Sequence, residues 1–174
     1  MFVPQKYELG NDKFVSISNF RETLYVHIRV HDKIWGYPTS VGISLKPSRF
    51  AILSTIASEV SEKLEDLKKP EHFEYKVHLG GGLYCVVQSR CFAVNLRRYF
   101  VPIDKMCPIP TKKGITLTPS EWKKLIAHME TLKTQYPELN NAVPCGFSES
   151  HNNQESAFAC LECFPFGANG VYEF

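Results

Sequence analysis

Residues 138–174 of this 174-residue chain contain no lysine and no arginine, although they contain five glutamates. Residues 1–70 carry ten basic and eight acidic side chains, and residues 71–137 carry ten and five. The net charge of +2 therefore divides into a body of +7 and a tail of −5. A basic body predicts a polyanionic partner. Composition alone leaves ordinary solvated surface charge open as the alternative.

The chain also lacks the features of a membrane-bound or secreted protein. It has no run of 18 uncharged apolar residues, so no membrane span is expected. Residues 1–6 do not have the form of a signal peptide. None of the six cysteines lies in the first 70 residues, unlike the even disulfide framework of a small secreted domain. We therefore expect a reducing, intracellular location, which is the nucleus if the host is eukaryotic.

Motifs for catalysis are absent as well. The sequence has no carboxylate pair of the catalytic kind, no nucleophile elbow and no phosphate-binding loop. The three glycines at 80–82 lack the following helix and lysine of a phosphate cradle. His27 and His31 share one face of a strand, but we interpret them as exposed or phosphate-facing side chains and not as metal ligands. We expect no enzyme and no cofactor.

What the chain does contain is an internal repeat. Residues 41–50 read VGISLKPSRF, and residues 113–122, 72 positions later, read KGITLTPSEW. Upstream, residues 24–29 (LYVHIR) align with residues 92–97 (FAVNLR), 68 positions apart. The change of offset predicts four extra residues in the central loop of the second copy. Two copies of about 65 residues predict two similar half-domains that pack as a pseudo-symmetric pair.

Hydrophobic periodicity predicts the same elements in each copy. Alternation with a period of two, separated by turn residues, predicts four strands in each, at 6–9, 13–19, 24–30, 42–45 and then 73–79, 83–87, 91–99, 115–117. The prolines before residue 115 predict an irregular, extended loop. A helical period follows each fourth strand, with a proline in the first turn, where its missing N–H has no helical partner.

The two helices each present one apolar stripe, which predicts the core. These stripes contain Phe50, Leu53, Ala57, Val60, Leu64 and Leu67, then Trp122, Leu125, Ile126, Met129, Leu132 and Tyr136. We divide the chain into a first ββββα repeat (1–70), a second ββββα repeat (71–137) and an acidic, loop-rich C-terminal extension (138–174). The predicted fold class is α+β.

Each repeat resembles the single-stranded DNA-binding domain of the transcriptional coactivator positive cofactor four. The resemblance rests on residues 7–10, 14–17, 20, 28–29 and 42–47 of the first repeat, and on 94–100 and 113–119 of the second. That family works as a dimer whose curved antiparallel sheets line channels for unpaired DNA. The resemblance implies an intramolecular pseudo-dimer, single-stranded DNA or RNA as the partner, and a role in transcription or replication without catalysis.

The family's contacts carry over to the two repeats only in part. Its outward arginine on the third strand matches Arg29 and Arg97. Its turn aromatic matches Phe20, and its basic residue before the second strand matches Lys13; the second repeat has Gln88 and a glycine turn there. Its aromatic after the arginine matches Phe100 and its lysine before the fourth strand matches Lys113. The first repeat has Asp32 and Val41 at those positions, and Trp35 is the loop residue that can replace the aromatic.

Sequence-tolerant binding of unpaired bases requires aromatic platforms and cations along the phosphates. The candidate nucleic-acid-binding residues are Lys13, Phe20, Arg21, Tyr25, Arg29, Trp35, Arg97, Arg98, Phe100, Lys112 and Lys113. For several of them a structural role stays open: a cross-strand contact for Tyr25, a loop folded over the core for Trp35, a core position for Phe100. The functional alternative is a protein-interaction module in transcription that does not touch nucleic acid. Further assembly of pseudo-dimers also stays open.

The extension holds two further patterns. Cys145, His151, Cys160 and Cys163 include one Cys-x2-Cys pair with zinc-knuckle spacing, but the other pair is irregular. We therefore favour free cysteines and commit to no metal site. The acidic tail, which ends in residues 171–174 (VYEF), has two interpretations. Its aromatic residues pack onto the repeats, or its charge competes with nucleic acid for the basic body.

Overall fold

The computed structural model describes residues 5–151, 155 and 158–166, so both the N-terminal residues 1–4 and the predicted terminal motif at 171–174 lie outside the described residues. The first unit consists of β1 (Lys6–Gly10), β2 (Lys13–Phe20), β3 (Thr23–His31), β4 (Pro38–Leu45) and α1 (Pro47–Asp66). The second unit consists of β5 (Glu74–Gly80), β6 (Leu83–Gln88), β7 (Cys91–Phe100), β8 (Ile109–Leu117) and α2 (Pro119–Gln135).

Each set of four strands forms its own antiparallel sheet, in the order β1-β2-β3-β4 and β5-β6-β7-β8. The predicted α+β fold with two ββββα units is confirmed. After α2 the chain makes a short helix, α3 (Pro137–Asn140), and two 3₁₀ turns at Cys145–Phe147 and Glu149–His151. Among the described residues, no helix has the length and apolar character needed to cross a bilayer.

The strand register reveals a third offset between the two units. Phe14 pairs with Arg29, and Tyr84 pairs with Arg97. The second strands are therefore offset by 70 positions although the third strands are offset by 68. The hairpin between β2 and β3 is accordingly two residues longer than its counterpart, and it turns through Arg21 and Glu22, which have φ of 48° and 65°. In the last pair before each turn, Phe20 faces Thr23 in the first unit and Gln88 faces Cys91 in the second, so the second hairpin has no aromatic side chain at that position.

Both fourth strands begin earlier than predicted, and β4 starts at Pro38 instead of residue 42. The sequence predicts 115–117, whereas β8 runs from Ile109 to Leu117 and pairs Pro110 with Tyr99. Proline is tolerated there because the register shifts between Arg97 and Tyr99, and because Pro110 lies at the start of the strand. Pro38, at the start of β4, pairs with His31 beyond the corresponding shift in the first unit.

One apolar core runs through both units. Phe50 and Trp122 begin the stripes of α1 and α2, and both are fully buried. The buried cluster around them includes residues from all eight strands and from both helices. The inner face of each sheet is therefore covered by side chains from both units. The Trp122 Nε1–H donates to Ser61 Oγ of α1 at 3.1 Å, which satisfies the one polar group of this side chain.

The units exchange equivalent contacts, as expected for an intramolecular pseudo-dimer. Strand β1 contacts α2, and β5 contacts α1. The Tyr7 hydroxyl donates to Gln135 Oε1 at 2.9 Å, and the Tyr75 hydroxyl donates to Glu59 Oε2 at 3.0 Å. Strand β4 also lies beside β8. Each helix is therefore held by the first strand of the opposite unit.

A buried ion pair joins the first hairpin to the second helix. Glu121 is 1% exposed, and Lys13 Nζ lies 3.0 Å from its Oε1 and 2.7 Å from the Thr116 carbonyl oxygen. Glu121 also accepts from the Thr118 backbone N–H, while the Thr118 side chain accepts from the Glu121 N–H, a reciprocal capping box. Burial alone would raise the pKa of Glu121, but these hydrogen bonds outweigh it and lower the pKa.

The equivalent position in the first helix has the opposite charge. Arg49 occupies in α1 the place that Glu121 occupies in α2, and it faces the glycine hairpin of the second unit. Its Nε and Nη2 donate to Glu162 of the C-terminal extension at 2.6 and 2.9 Å, and Lys46 Nζ lies 2.9 Å from the same carboxylate. This ion pair therefore joins the first unit to the extension, whereas the Lys13–Glu121 pair joins the two units.

We predict that Glu121→Ala lowers the free energy of unfolding by about 3–5 kcal/mol near neutral pH, because it leaves the charge of Lys13 without its partner. The lowered pKa means that the stabilisation is complete above the ordinary carboxyl value of 4.5 and is lost as the pH falls through the lower, folded-state value. Denaturant unfolding at several pH values should show that the free energies of unfolding of the mutant and the wild type become similar in acid.

The matched control is Glu130→Ala on the same helix, where the carboxylate is 68% exposed and pairs with Lys133. An exposed pair of this kind contributes about 0–1 kcal/mol. Equal destabilisation by both substitutions would contradict the importance assigned to the buried pair.

Candidate nucleic-acid interface

Each sheet has an inner face packed on the core and an opposite, outer face. In β3, Val26 and Ile28 are buried in the core, whereas the intervening His27 and the flanking Tyr25 and Arg29 point to the outer face. In β7 the outer residues are Asn95, Arg97 and Tyr99. The outer faces therefore carry the polar and aromatic side chains of both third strands.

The two predicted arginines occupy equivalent places on these outer faces. Arg29 donates to Ser44 Oγ at 3.0 Å and to the Thr39 carbonyl oxygen at 3.3 Å. Arg97 donates to the Thr111 carbonyl oxygen at 2.9 Å and to Asn95 Oδ1 at 3.1 Å. Both guanidinium groups are therefore anchored by the neighbouring fourth strand while remaining partly exposed.

A glycine lies opposite each arginine and lets the fourth strand approach it. Gly42 pairs with Arg29 and Gly114 pairs with Arg97. A Cβ at Gly42 would lie 2.3 Å from the Ile28 carbonyl oxygen, and one at Gly114 would lie 2.7 Å from that of Leu96. This close approach explains the glycine in both copies of the repeated sequence.

A groove collects cations from both units where β4 lies beside β8. Its lining includes Arg29 and the residues Ser40–Ser44 on one side, and Arg98, Lys112 and Lys113 on the other. The groove has a volume of about 550 Å³, and none of the described residues that line it is acidic. We call it the central groove. It brings together four of the cations selected from the sequence.

A cation packed on aromatic rings recurs on both outer faces, and sequence reasoning missed it. In the first unit Lys6 Nζ lies 4.2 Å from the Phe14 ring centroid, and that ring lies 4.7 Å from His31. In the second, Lys76 Nζ lies 4.3 Å from the Tyr99 ring, which contacts Tyr84 edge-on at 5.0 Å. The offset of 70 relates Lys6 to Lys76 and Phe14 to Tyr84, so a comparison at 68 or 72 positions does not align them.

Three predicted stacking residues are exposed. Phe20 is 60% exposed at the tip of the β2–β3 hairpin, with the Arg21 guanidinium 5.2 Å from its ring. Trp35 is 75% exposed, so the alternative of a loop folded over the core does not hold. Phe100 is 46% exposed, so it is not a core residue. Phe92, which was not selected from the sequence, is 52% exposed at the β6–β7 hairpin.

Other predicted residues have partners within the protein. Lys13 makes the inter-unit ion pair described above and does not line the central groove. Tyr25 is half-buried beside His27, with ring centroids 6.2 Å apart. The Arg98 Nη1 donates to the Gly81 carbonyl oxygen at 2.9 Å. Burial, and then the nearby Arg49, lower the pKa of Arg98.

The two histidines of β3, His27 and His31, have different surroundings. The two ring nitrogens of His27 lie 2.7 Å from Ser18 Oγ and 2.7 Å from Ser44 Oγ. Burial and the adjacent Arg29 lower the pKa of His27, which favours the neutral ring. The expectation that His31 is exposed or faces a phosphate is wrong: His31 is buried, and its Nδ1 lies 3.0 Å from the Gly36 carbonyl oxygen. Both rings thus have hydrogen-bonding partners within the first unit.

Besides its ion pairs with Lys46 and Arg49, the described part of the extension packs on the second unit. Phe166 contacts the outer-face cluster of Tyr84, Val86 and Tyr99. Burial and the neighbouring Tyr99 raise the pKa of Tyr84 to about 12, so this hydroxyl stays neutral. The Gly81 N–H donates to the Glu162 carbonyl oxygen at 2.8 Å. The outer face of the second sheet is therefore partly covered by the chain itself.

Comparison with known proteins supports the family for part of the second unit. A family profile described as Transcriptional Coactivator p15 (PC4) matches residues 93–128, which run from β7 into α2 and include Arg97, Arg98 and the Lys112–Lys113 pair. That family is associated with single-stranded DNA binding and with transcriptional coactivation. The matched segment does not include the first unit. No curated protein matches the chain significantly.

We predict that Gly42→Ala and Gly114→Ala each destabilise the fold by about 1–3 kcal/mol, since the new methyl group overlaps the backbone of the neighbouring strand. Thermal unfolding measures the effect. Gly146→Ala is the matched control, because a Cβ there would meet nothing within 4 Å. Unchanged melting of Gly42→Ala and Gly114→Ala would contradict the close approach at the two arginines.

Proposed function

We propose that this protein binds single-stranded DNA with weak sequence preference, in transcription or replication, and acts in the nucleus if its host is eukaryotic. The observation that supports this most directly is the central groove, where Arg29 of one unit faces Arg98, Lys112 and Lys113 of the other. The partial family match supports the same function from an independent direction.

The charge of the groove suits a polyphosphate backbone. Phosphate contacts position a nucleic acid without reading its sequence, and single-stranded sites combine a cationic groove with aromatic platforms. The cations of the central groove lie where the two units meet, so one DNA strand that crosses the groove would contact both units. We assign Arg29, Arg97, Arg98, Lys112 and Lys113 to the phosphates.

Exposed aromatic side chains supply the platforms. Phe20 and Phe100 are exposed at the ends of β2 and β7, and Trp35 is exposed in the loop between β3 and β4. Unpaired bases stack on exposed aromatic rings, whereas the bases of a duplex are already stacked on one another. Arg21, beside Phe20, and Tyr25, on the outer face, extend this surface across the first unit. Lys13 is assigned to the fold because its charge is paired with Glu121.

The two halves contribute unequally in this proposal. Phe166 covers Tyr84 and Tyr99 on the second outer face. The corresponding Phe14 of the first unit is half-buried, and Lys6 beside it is exposed. The bound DNA strand therefore lies on the outer face of the first sheet and in the central groove. It reaches Phe100 at the edge of the second sheet.

We predict that single-stranded oligonucleotides bind more tightly than duplexes of the same length, and that the Arg29→Ala/Arg97→Ala double mutant binds more weakly with a flatter salt dependence. For single strands the log–log slope changes by about 0.7 for each phosphate neutralised. Fluorescence anisotropy with DNA, RNA and duplex probes at several salt concentrations measures both effects. Replacing Lys68 and Lys69, which are exposed at the end of α1, is the charge-matched control.

Equal affinity for duplex and single strand would exclude the stacking contribution. No binding to any of the probes would favour the alternative of a protein-interaction module. An unchanged salt slope in the arginine double mutant would place the phosphate path elsewhere.

We predict that Phe20→Ala and Trp35→Ala each weaken binding by about 1–3 kcal/mol, the usual contribution of one base stacked on an aromatic ring. Both side chains are exposed, so melting should not change. Ile34→Ala is the control for Trp35, because Ile34 is 80% exposed in the same loop but has no ring face. Equal losses for Ile34→Ala and Trp35→Ala would show that the loop contributes apolar contact and not stacking.

A further inference from the structure

The extension brings together four side chains that bind soft metal ions. One ligand atom each from Cys145, His151, Cys160 and Cys163 lies within 4.8 Å of every other. All four residues are partly buried. They come from both 3₁₀ turns and from the irregular segment that follows, so the fold of the extension, and not the spacing alone, places them together.

The distances between these atoms suit a tetrahedral ion. Cys145 Sγ lies 3.7 Å from Cys160 Sγ and 3.8 Å from His151 Nε2, and Cys163 Sγ lies 4.0 Å from the same ring nitrogen. With zinc–sulfur bonds of about 2.3 Å, tetrahedral geometry separates two sulfur ligands by about 3.8 Å. A disulfide requires about 2.05 Å between the sulfurs. The cluster therefore has the spacing of ligands around a shared ion.

The described residues of the extension beyond α3 build no buried apolar core of their own. Between Asn141 and Phe166 the described residues form only short 3₁₀ and helical turns, and the fully buried core lies in the two units and α3. Segments of this size that cannot build a core commonly require a metal or disulfides. Phe158 and Phe164 contact each other with ring centroids 5.2 Å apart, which is a small apolar contact for a segment of this length.

We propose that Cys145, His151, Cys160 and Cys163 bind one structural zinc ion. Three sulfurs and one nitrogen are donors that zinc prefers, and four protein ligands leave no open position for catalysis. The ion would fix the loop between Cys160 and Cys163, which carries Glu162 to Arg49 and Lys46. It would thereby attach the extension to the start of α1 and, through the Gly81 N–H, to the hairpin of the second unit.

The test uses the full chain, purified without chelators and analysed for metal. We expect about one zinc ion per chain, and Co²⁺ exchanged into the site should give the visible absorption of tetrahedral thiolate coordination. Cys145→Ser and Cys163→Ser should lose the metal and the absorption. Cys91→Ser and Cys107→Ser are the matched controls, because both cysteines are exposed and outside the cluster.

If a serine variant folds poorly, substitutions of His151 and chelation of the wild type test the same site. His151→Cys retains four ligands and should keep the ion, whereas His151→Ala should bind it more weakly. Chelation should lower the melting temperature of the wild type and leave the metal-free Cys145→Ser protein unchanged. Zinc content no higher in the wild type than in Cys145→Ser, or a Cys145–Cys160 disulfide found by mass spectrometry, would overturn the proposal. Metal content, melting temperature and disulfide detection do not depend on nucleic-acid binding, so this proposal and the proposed function can fail separately.

Discussion

Phe50 and Trp122, the first large side chains of the two long helices, lie in one apolar core that both sheets share. The other inter-unit contacts among the described residues surround this packing. It brings β1 against α2 and β5 against α1, it sets Lys13 beside Glu121, and it places β4 along β8. The central groove exists because of that last juxtaposition. The site is therefore a product of the interface between the units, and neither sheet alone would contain it.

The core-facing residues could be predicted because strands and helices bury their apolar side chains with a regular period in the sequence. Alternation in β3 and the stripe from Phe50 onward are local patterns, and both elements formed where the sequence placed them. Three features were not local. The start of β8 depends on a register shift that accommodates Pro110, the pairing of Lys13 with Glu121 crosses between units, and the Lys6–Phe14 contact recurs at an offset that only strand register reveals.

The candidate site was predictable to a similar degree. The family resemblance identified Arg29 and Arg97, whereas their pairing with Gly42 and Gly114 became visible only in the strand register. Exposure decided between the open alternatives for Trp35 and Phe100, which no pattern could do. The cysteine pattern was ambiguous because the spacing of Cys145 and His151 matches no common knuckle, whereas the folded turns bring their ligand atoms together.

The units are joined in one chain, and this has a consequence for the two ion pairs at equivalent positions. In a symmetric homodimer, each position is present twice with the same side chain, so Glu121 and Arg49 could not coexist at one site of the repeat. A fused pair also cannot dissociate on dilution, so its stability is independent of protein concentration. Each half can therefore diverge: the outer face of the first sheet stays open, while that of the second is partly covered by Phe166 of the extension.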